Sequence, residues 1–466
     1  MLFNSVEYIL LLFSSLIAYW ACPWLKVRQW IIFVSSVYFY MSWSRTFVVM
    51  LLALIGINWL IGYFLAKDGR RRWLVLACII NLSLLAWFKY ANFFIENLLE
   101  IAHLAGAEKD APHLSIILPL GISFYVFELI SYLADIYRRR IGHERSLLVF
   151  SLFVLFFPHL IAGPICRATQ FVPQVKQLQT FTSSQFYNGL YLFLCGFALK
   201  CGIADGVAPF VNVIFNAPAS YSGFDNLMGA LGFGIQILCD FWGYSLMALG
   251  AALLFGYVLP PNFNAPYAAL SIRDFWRRWH MTLSNWLRDY LYIALGGSRE
   301  SAGWKVQRNL VITMLLGGLW HGASWNFIVW GAIHGGALAI NRWFESAQLP
   351  ASLKQIFTAR PVAWLLTMAV VFTGWVFFRT HHFHEAAVML ERIVTPSTDW
   401  AASRLAPMFF ELMLLYPLLQ WLVHRTTFDY DMAAQSMRKQ VAIVVALSIF
   451  ALIYYIDGNE FIYFQF

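Results

Sequence analysis

The sequence predicts an all-α polytopic membrane protein, a bundle of about eleven to thirteen transmembrane or re-entrant helices with amphipathic helices at the interface. Three observations lead there. Of 466 residues, 60% are hydrophobic, 18% aromatic and only 12% charged, and the mean hydropathy is +0.64. A soluble domain of this length cannot hide so much apolar surface, so its solvent is largely lipid. Apolar stretches then recur along the whole chain, at 5–22, 28–43, 46–66, 73–95, 116–136, 146–164, 185–203, 226–258, 310–341, 361–379, 406–424 and 440–456. The charges, finally, gather in short clusters between those stretches. The net +8 therefore fits cytoplasmic loops and anionic lipid, not nucleic acid.

Taken in order, the first run, Val6 to Ala21, has no basic start and ends at Cys22-Pro23, so it reads as a retained membrane helix and not a cleaved signal. Lys26 and Arg28, then Lys67 and Arg70 to Arg72, then Arg138 to Arg140 and Arg145, occupy alternate loops. Placing all three on the cytoplasmic side puts the N-terminus in the periplasm. The intervening loop, with Glu96, Glu100, Glu108 and Asp110 against Lys109, agrees. Stretch 226–258 accommodates one tilted helix or two short ones, and 310–341 is interrupted by glycine. The six cysteines form no CxxC and read as small core residues, with no disulfide or metal role. No repeat or linker divides the chain, so one membrane domain covers residues 1–466.

Arg273 to Gly336 stands apart from this apolar wall. In 271–293, Phe275, Trp276, Trp279, Leu283, Trp286, Leu287 and Tyr290 recur at helical spacing, with Arg273, Arg277, Arg278, Asn285, Arg288 and Asp289 mostly opposite. That pattern predicts an amphipathic helix at the membrane interface, capped by Ser271 with Asp274. From Arg273 to Arg308, seven basic residues stand against three acidic ones, a net of +4 that favours the cytoplasmic face. His280 falls on the apolar side. His321 lies about 20 Å along a helix from the polar edge at Arg308 and Asn309, inside a core about 30 Å thick. An imidazole at that depth is costly unless paired or beside a wet cavity. On depth alone, a core histidine bonding two helices is the reading favoured over catalysis. Gly317, Gly318 and Gly322 around it predict a broken helix or a close backbone approach. His334 follows in the next apolar run and reads first as structural. His381, His382 and His384 with Glu385 have the composition of metal ligands but lack a partner set, so no metal is assigned. Asp205, Asp240 and Glu128 lie in or beside spans, where they can pair with Lys200 or line a cavity.

The segments RDFWRRWHMTLSNWLRDYLYIALGGSR (273–299) and GGLWHGASW (317–325) closely resemble the membrane-bound O-acyltransferase (MBOAT) family. Its bacterial alginate O-acetyltransferase branch, with the relatives for cellulose acetylation and teichoic-acid D-alanylation, is the best match. WFKYANFF (87–94), LPLGISFYVFELISYLADIYR (118–138), FPHLIAGPICR (157–167) and the terminal FIYFQF (461–466) extend the likeness over nearly the whole chain. The resemblance implies a helical bundle around a central tunnel, with His321 as the active-site histidine and His280 assisting it or shaping the donor entrance. One stretch departs from the pattern: where the alginate-type sequence reads D-F-S-G-Y-S-D-M-A, this chain places Trp242 and Leu246 within Asp240 to Ala248.

Acyl transfer to a hydroxyl needs a base for the hydroxyl proton, and a neutral imidazole suits that task. The resemblance also implies an acetyl-CoA-like thioester donor, used as substrate and not as a bound cofactor. Arg273, Arg277, Arg278 and Arg288, with Trp279, are candidates to hold it, and lipid headgroups account for the same arginines equally well. A periplasmic acyl-accepting protein and a polysaccharide acceptor complete the expected scheme, on an enzyme of the bacterial inner membrane. The opposing class is a polytopic transporter or flippase, with the buried His and Asp residues as its path. Peptidoglycan or teichoic acid remain alternative acceptors.

Overall fold

The computed structural model describes residues 1–104, 114–161, 163–299, 303–395, 418, 421, 424–425 and 431–453. Every regular element among them is helical. In chain order these are α1 (Val6–Ala21), α2 (Leu25–Met41), α3 (Arg45–Asp68), α4 (Arg71–Leu104), α5 (Ile122–Tyr137), α6 (Leu147–Leu155), α7 (Ala168–Val175), α8 (Ser183–Asn216) and α9 (Gly223–Leu254). They continue with α10 (Ile272–Arg278), α11 (Met281–Trp286), α12 (Gly303–His321), α13 (Trp325–Ser346), α14 (Ala351–Thr358), α15 (Arg360–Arg379), α16 (Phe383–Val394) and α17 (Met437–Ile453). Among the described residues, α3, α4, α8, α9 and α15 are long and apolar enough to cross a membrane on their own. The expected stretch 406–424 lies largely outside the described residues, as does FIYFQF.

The chain packs as two compact units, one of residues 1–189 with 248–260, the other of 190–247 with 261–466. In the first, α5 is buried on nearly every face, from Ile122 to Ile136. α6 is buried from Val149 onward. α6 is apolar nearly all round, as suits a helix inside a bundle, whereas α5 also buries Glu128 and Asp135. The expected spans 116–136 and 146–164 are correspondingly shorter as helices: α5 starts only at Ile122, and the chain leaves α6 at Phe156, with residues 156–161 and 163–166 buried but irregular. Arg28, counted above as a loop residue, lies inside α2 instead. Its guanidinium donates to the carbonyls of Cys22 at 2.6 Å and Gln179 at 2.7 Å, over the ring of Tyr19.

Stretch 226–258 holds the single helix α9, which ends at Leu254. Helix α8 runs past its expected end at residue 203 through a π-helical turn, Leu199–Ala204. Stretch 310–341 is a hairpin: α12 ends at His321, and α13 starts at Trp325 with Ser324 as N-cap. The two helices touch backbone to backbone. A Cβ on Gly331 would run into the carbonyl oxygen of Met314, and one on Gly318 into that of Phe327. Gly331→Ala is therefore expected to destabilise the hairpin by about 1–3 kcal/mol. Heating the detergent-solubilised variant beside wild type measures it, and equal melting would mean that the contact gives way freely.

The His/Glu group at 381–385 has a structural use. His382 is the N-cap of α16, and Glu385 returns to the backbone N–H of His382 at 3.1 Å, forming a capping box.

Candidate active site

Segment 271–293 begins as the sequence predicts, with the Ser271 side chain accepting from the Asp274 N–H at 3.1 Å. It is not one helix, however. α10 stops at Arg278, His280 takes a left-handed backbone (φ +39°), and α11 restarts at Met281, passing into a π-helical turn at Leu287–Tyr292. A non-glycine residue at positive φ is held there by its surroundings. The surroundings are evident: Asn264 N–H donates to Arg278 O and Met281 N–H to Asn262 O, both at 2.9 Å, on either side of His280. The Asn262 side chain accepts from Thr282 Oγ1 at 2.6 Å and donates to Ser245 Oγ at 3.1 Å. The break turns the His280 ring fully inward, onto Phe241 at 4.6 Å and toward Trp320 at 6.1 Å between centroids. Neither ring nitrogen has a hydrogen-bond partner. Burial pushes this imidazole down to about 3, so it is neutral at physiological pH.

His321 closes the last turn of α12 and is 3% exposed. Four aromatic rings surround it: Trp320 and Trp330 at 5.0 Å, Phe378 at 5.2 Å and Phe327 at 6.5 Å. His334, one face further along α13, packs on Trp330 at 4.7 Å and Trp276 at 5.3 Å. The three histidines are thus linked by shared rings, His280 to His321 through Trp320 and His321 to His334 through Trp330.

Beside this cluster, α10, the α11 region, α12 and α13 enclose a cleft of about 550 Å³. Arg273, Arg277, Arg288 and Arg342 line it, with Trp276, Asn285 and Tyr292 among their neighbours. Arg273 is held by Glu345 at 2.8 Å and Arg288 by Asp289 at 2.7 Å, while Arg277 and Arg342 make no ion pair among the described residues. Two of the predicted donor residues lie elsewhere. Arg278 is tied to Asp274 at 2.8 Å and does not line the cleft. Trp279 is core, 1% exposed, stacked on Phe275 and packed on Trp375 at 4.8 Å. The reason is the helix break: an unbroken helix would have carried Trp279 along the same stripe as Trp276. Arg342, Asn285 and Tyr292 were not singled out as site residues. Arg342 lies 21 positions beyond His321, and only the α12–α13 hairpin returns it to the cleft. Trp242 and Leu246, the two departures noted above, are both buried.

The model of the MBOAT, membrane-bound O-acyltransferase family, matches residues 138–377, which include all three histidines and the four cleft arginines. The chain is 40% identical to a probable alginate O-acetylase of Azotobacter vinelandii, over 87% of this chain and 80% of that one. It is 39% identical to a probable alginate O-acetylase of Pseudomonas aeruginosa, over 87% and 77%. A peptidoglycan O-acetyltransferase of Helicobacter pylori is 37% identical, over 79% and 73%. With helices as its regular elements among the described residues and this likeness along most of its length, the chain is a multi-pass membrane enzyme that belongs to the membrane-bound O-acyltransferase family.

Proposed function

We propose that this enzyme moves an acetyl group from a cytoplasmic thioester, acetyl-CoA or a close relative, across the bacterial inner membrane for O-acetylation of an exopolysaccharide such as alginate or cellulose. One observation carries the reading: the arginine-lined cleft is walled by Trp276, Trp276 packs on Trp330 at 5.6 Å, and Trp330 packs on His321. A phosphate-bearing donor would be held at the cleft by Arg277 and Arg342, whose charges have no ion-pair partner among the described residues, assisted by Arg273 and Arg288. His321 would take the acceptor's hydroxyl proton while that oxygen attacks the acyl carbon. The C–S bond then breaks, and the thiolate leaves with the proton returned from the imidazolium. His280, neutral and locked against Trp320, would position His321 rather than exchange protons itself.

The acceptor follows the relatives' names: alginate O-acetylases favour an exopolysaccharide, reached through a periplasmic acyl-accepting protein with the N-terminus on that side. The peptidoglycan O-acetyltransferase relative supports peptidoglycan as the second reading. Family membership removes the transporter alternative.

The test is label transfer from acetyl-labelled CoA to a candidate secreted partner and its polysaccharide, in membranes bearing the full chain. Wild type is expected to transfer label. Arg277→Gln combined with Arg342→Gln is expected to raise the KM for donor about tenfold, with kcat little changed. An unchanged KM would remove the cleft from the donor site, and the absence of transfer to either polysaccharide class would overturn the acceptor.

A further inference from the structure

A second group of chemistry-bearing side chains lies in the other compact unit, that of residues 1–189 with 248–260. Glu128 stands on α5, while His159 and Cys166 lie in the irregular connection after α6. Their donor atoms all fall within 4.8 Å of one another, and the three residues are 2%, 2% and 1% exposed. The sequence reading treated Cys166 as a small core residue, because nothing in its spacing links it to Glu128 or His159.

We propose that Glu128, His159 and Cys166 form a structural site for zinc or a similarly soft divalent cation. Three observations support it. The Glu128 Oε1 to His159 Nδ1 separation is 3.6 Å, long for a hydrogen bond. Two donors on one tetrahedral zinc, with bonds of about 2.0–2.3 Å, stand roughly 3.3–3.6 Å apart. His159 is buried; its ring meets backbone at its own residue and at Phe153, while its Nε2 has no hydrogen-bond partner among the described residues. Among the described residues, no lysine or arginine pairs with Glu128, which leaves a buried carboxyl without a permanent countercharge. Charge closes the balance: a divalent ion with one carboxylate and one thiolate is neutral, which suits an apolar interior. The thiol would give up its proton on coordination.

The rest of the setting fits a bound ion. The Cys166 backbone N–H donates to Glu128 Oε1 at 3.0 Å, fixing the carboxylate as outer-shell partners do. The connection itself gains from a staple, since buried non-helical backbone inside a membrane bundle must be held by protein. Thiolate plus imidazole selects zinc over magnesium or calcium.

The experiment uses the full chain, purified in detergent without a polyhistidine tag, and measures metal by mass spectrometry. About one zinc per chain is expected in wild type, falling at least tenfold in Cys166→Ala and His159→Gln. Because those variants can fail to fold, wild type stripped with chelator is also reloaded with Co²⁺. A thiolate-to-cobalt absorption band is expected there, and its absence overturns the site. So does zinc that persists unchanged in both variants, or a wild type that neither carries nor takes up metal. Acetyl transfer is read separately and does not enter this result.

Discussion

Replacing His321 with alanine is expected to lower acetyl transfer by about 10²- to 10⁴-fold at matched abundance in the membrane. The range is the usual worth of a positioned general base, the role proposed for His321. It ends α12, is enclosed by Trp320, Trp330 and Phe378, and adjoins a wall shared with the arginine cleft. The measurement is label transfer from acetyl-CoA in membranes of wild type and variant, with insertion checked by protease accessibility. The ring cage should survive truncation of one side chain at its centre, so the loss should appear in kcat more than in donor KM. A variant that retains more than a tenth of the wild-type rate would remove His321 from the chemistry. His334 would then be the nearest candidate through Trp330.

A large stability effect is expected from Lys200→Met. The Lys200 Nζ lies 2.7 Å from a carboxylate oxygen of Asp205 and 2.7 Å from one of Asp240, with all three side chains buried. The π-helical turn Leu199–Ala204 makes this possible. In an α-helix, residues five apart point to different faces, whereas the wider turn aligns Lys200 with Asp205. Asp240 then approaches from α9. Removing only the cation leaves two buried carboxyls without compensation, a change that costs about 3–5 kcal/mol. Thermal denaturation in detergent and membrane abundance should both fall. Adding Asp205→Asn and Asp240→Asn should recover much of the loss, because the charges disappear together. A Lys200→Met protein that melts like wild type would show that water or another group already solvates the carboxylates.

The sequence by itself determined the solvent and the element type. An excess of apolar residues, recurring in stretches of membrane length, leaves the backbone no option but to satisfy its hydrogen bonds within each segment, and helices result. It also marked His321, because a lone imidazole far from a polar edge stands out against an apolar run. α1 appears from Val6 to Ala21, the limits the hydrophobic run had suggested.

What only the tertiary structure decided concerns residues whose partners lie far along the chain. Periodicity runs smoothly through Trp279 and His280, so 271–293 reads as one helix. The break there is imposed by Asn262 and Asn264, whose backbones pair with the strained turn from outside it. The same break puts Trp279 into the core and leaves Trp276 at the cleft. Arg342 joins that cleft because α13 folds back against α12 through Gly318 and Gly331. Lys200 meets Asp205 only through a local widening of its helix, and Glu128 meets Cys166 across 38 residues. Side-chain pattern fixes which face of a helix is apolar. It carries no information on which distant groups that face will meet, since those contacts depend on how the helices turn back on one another.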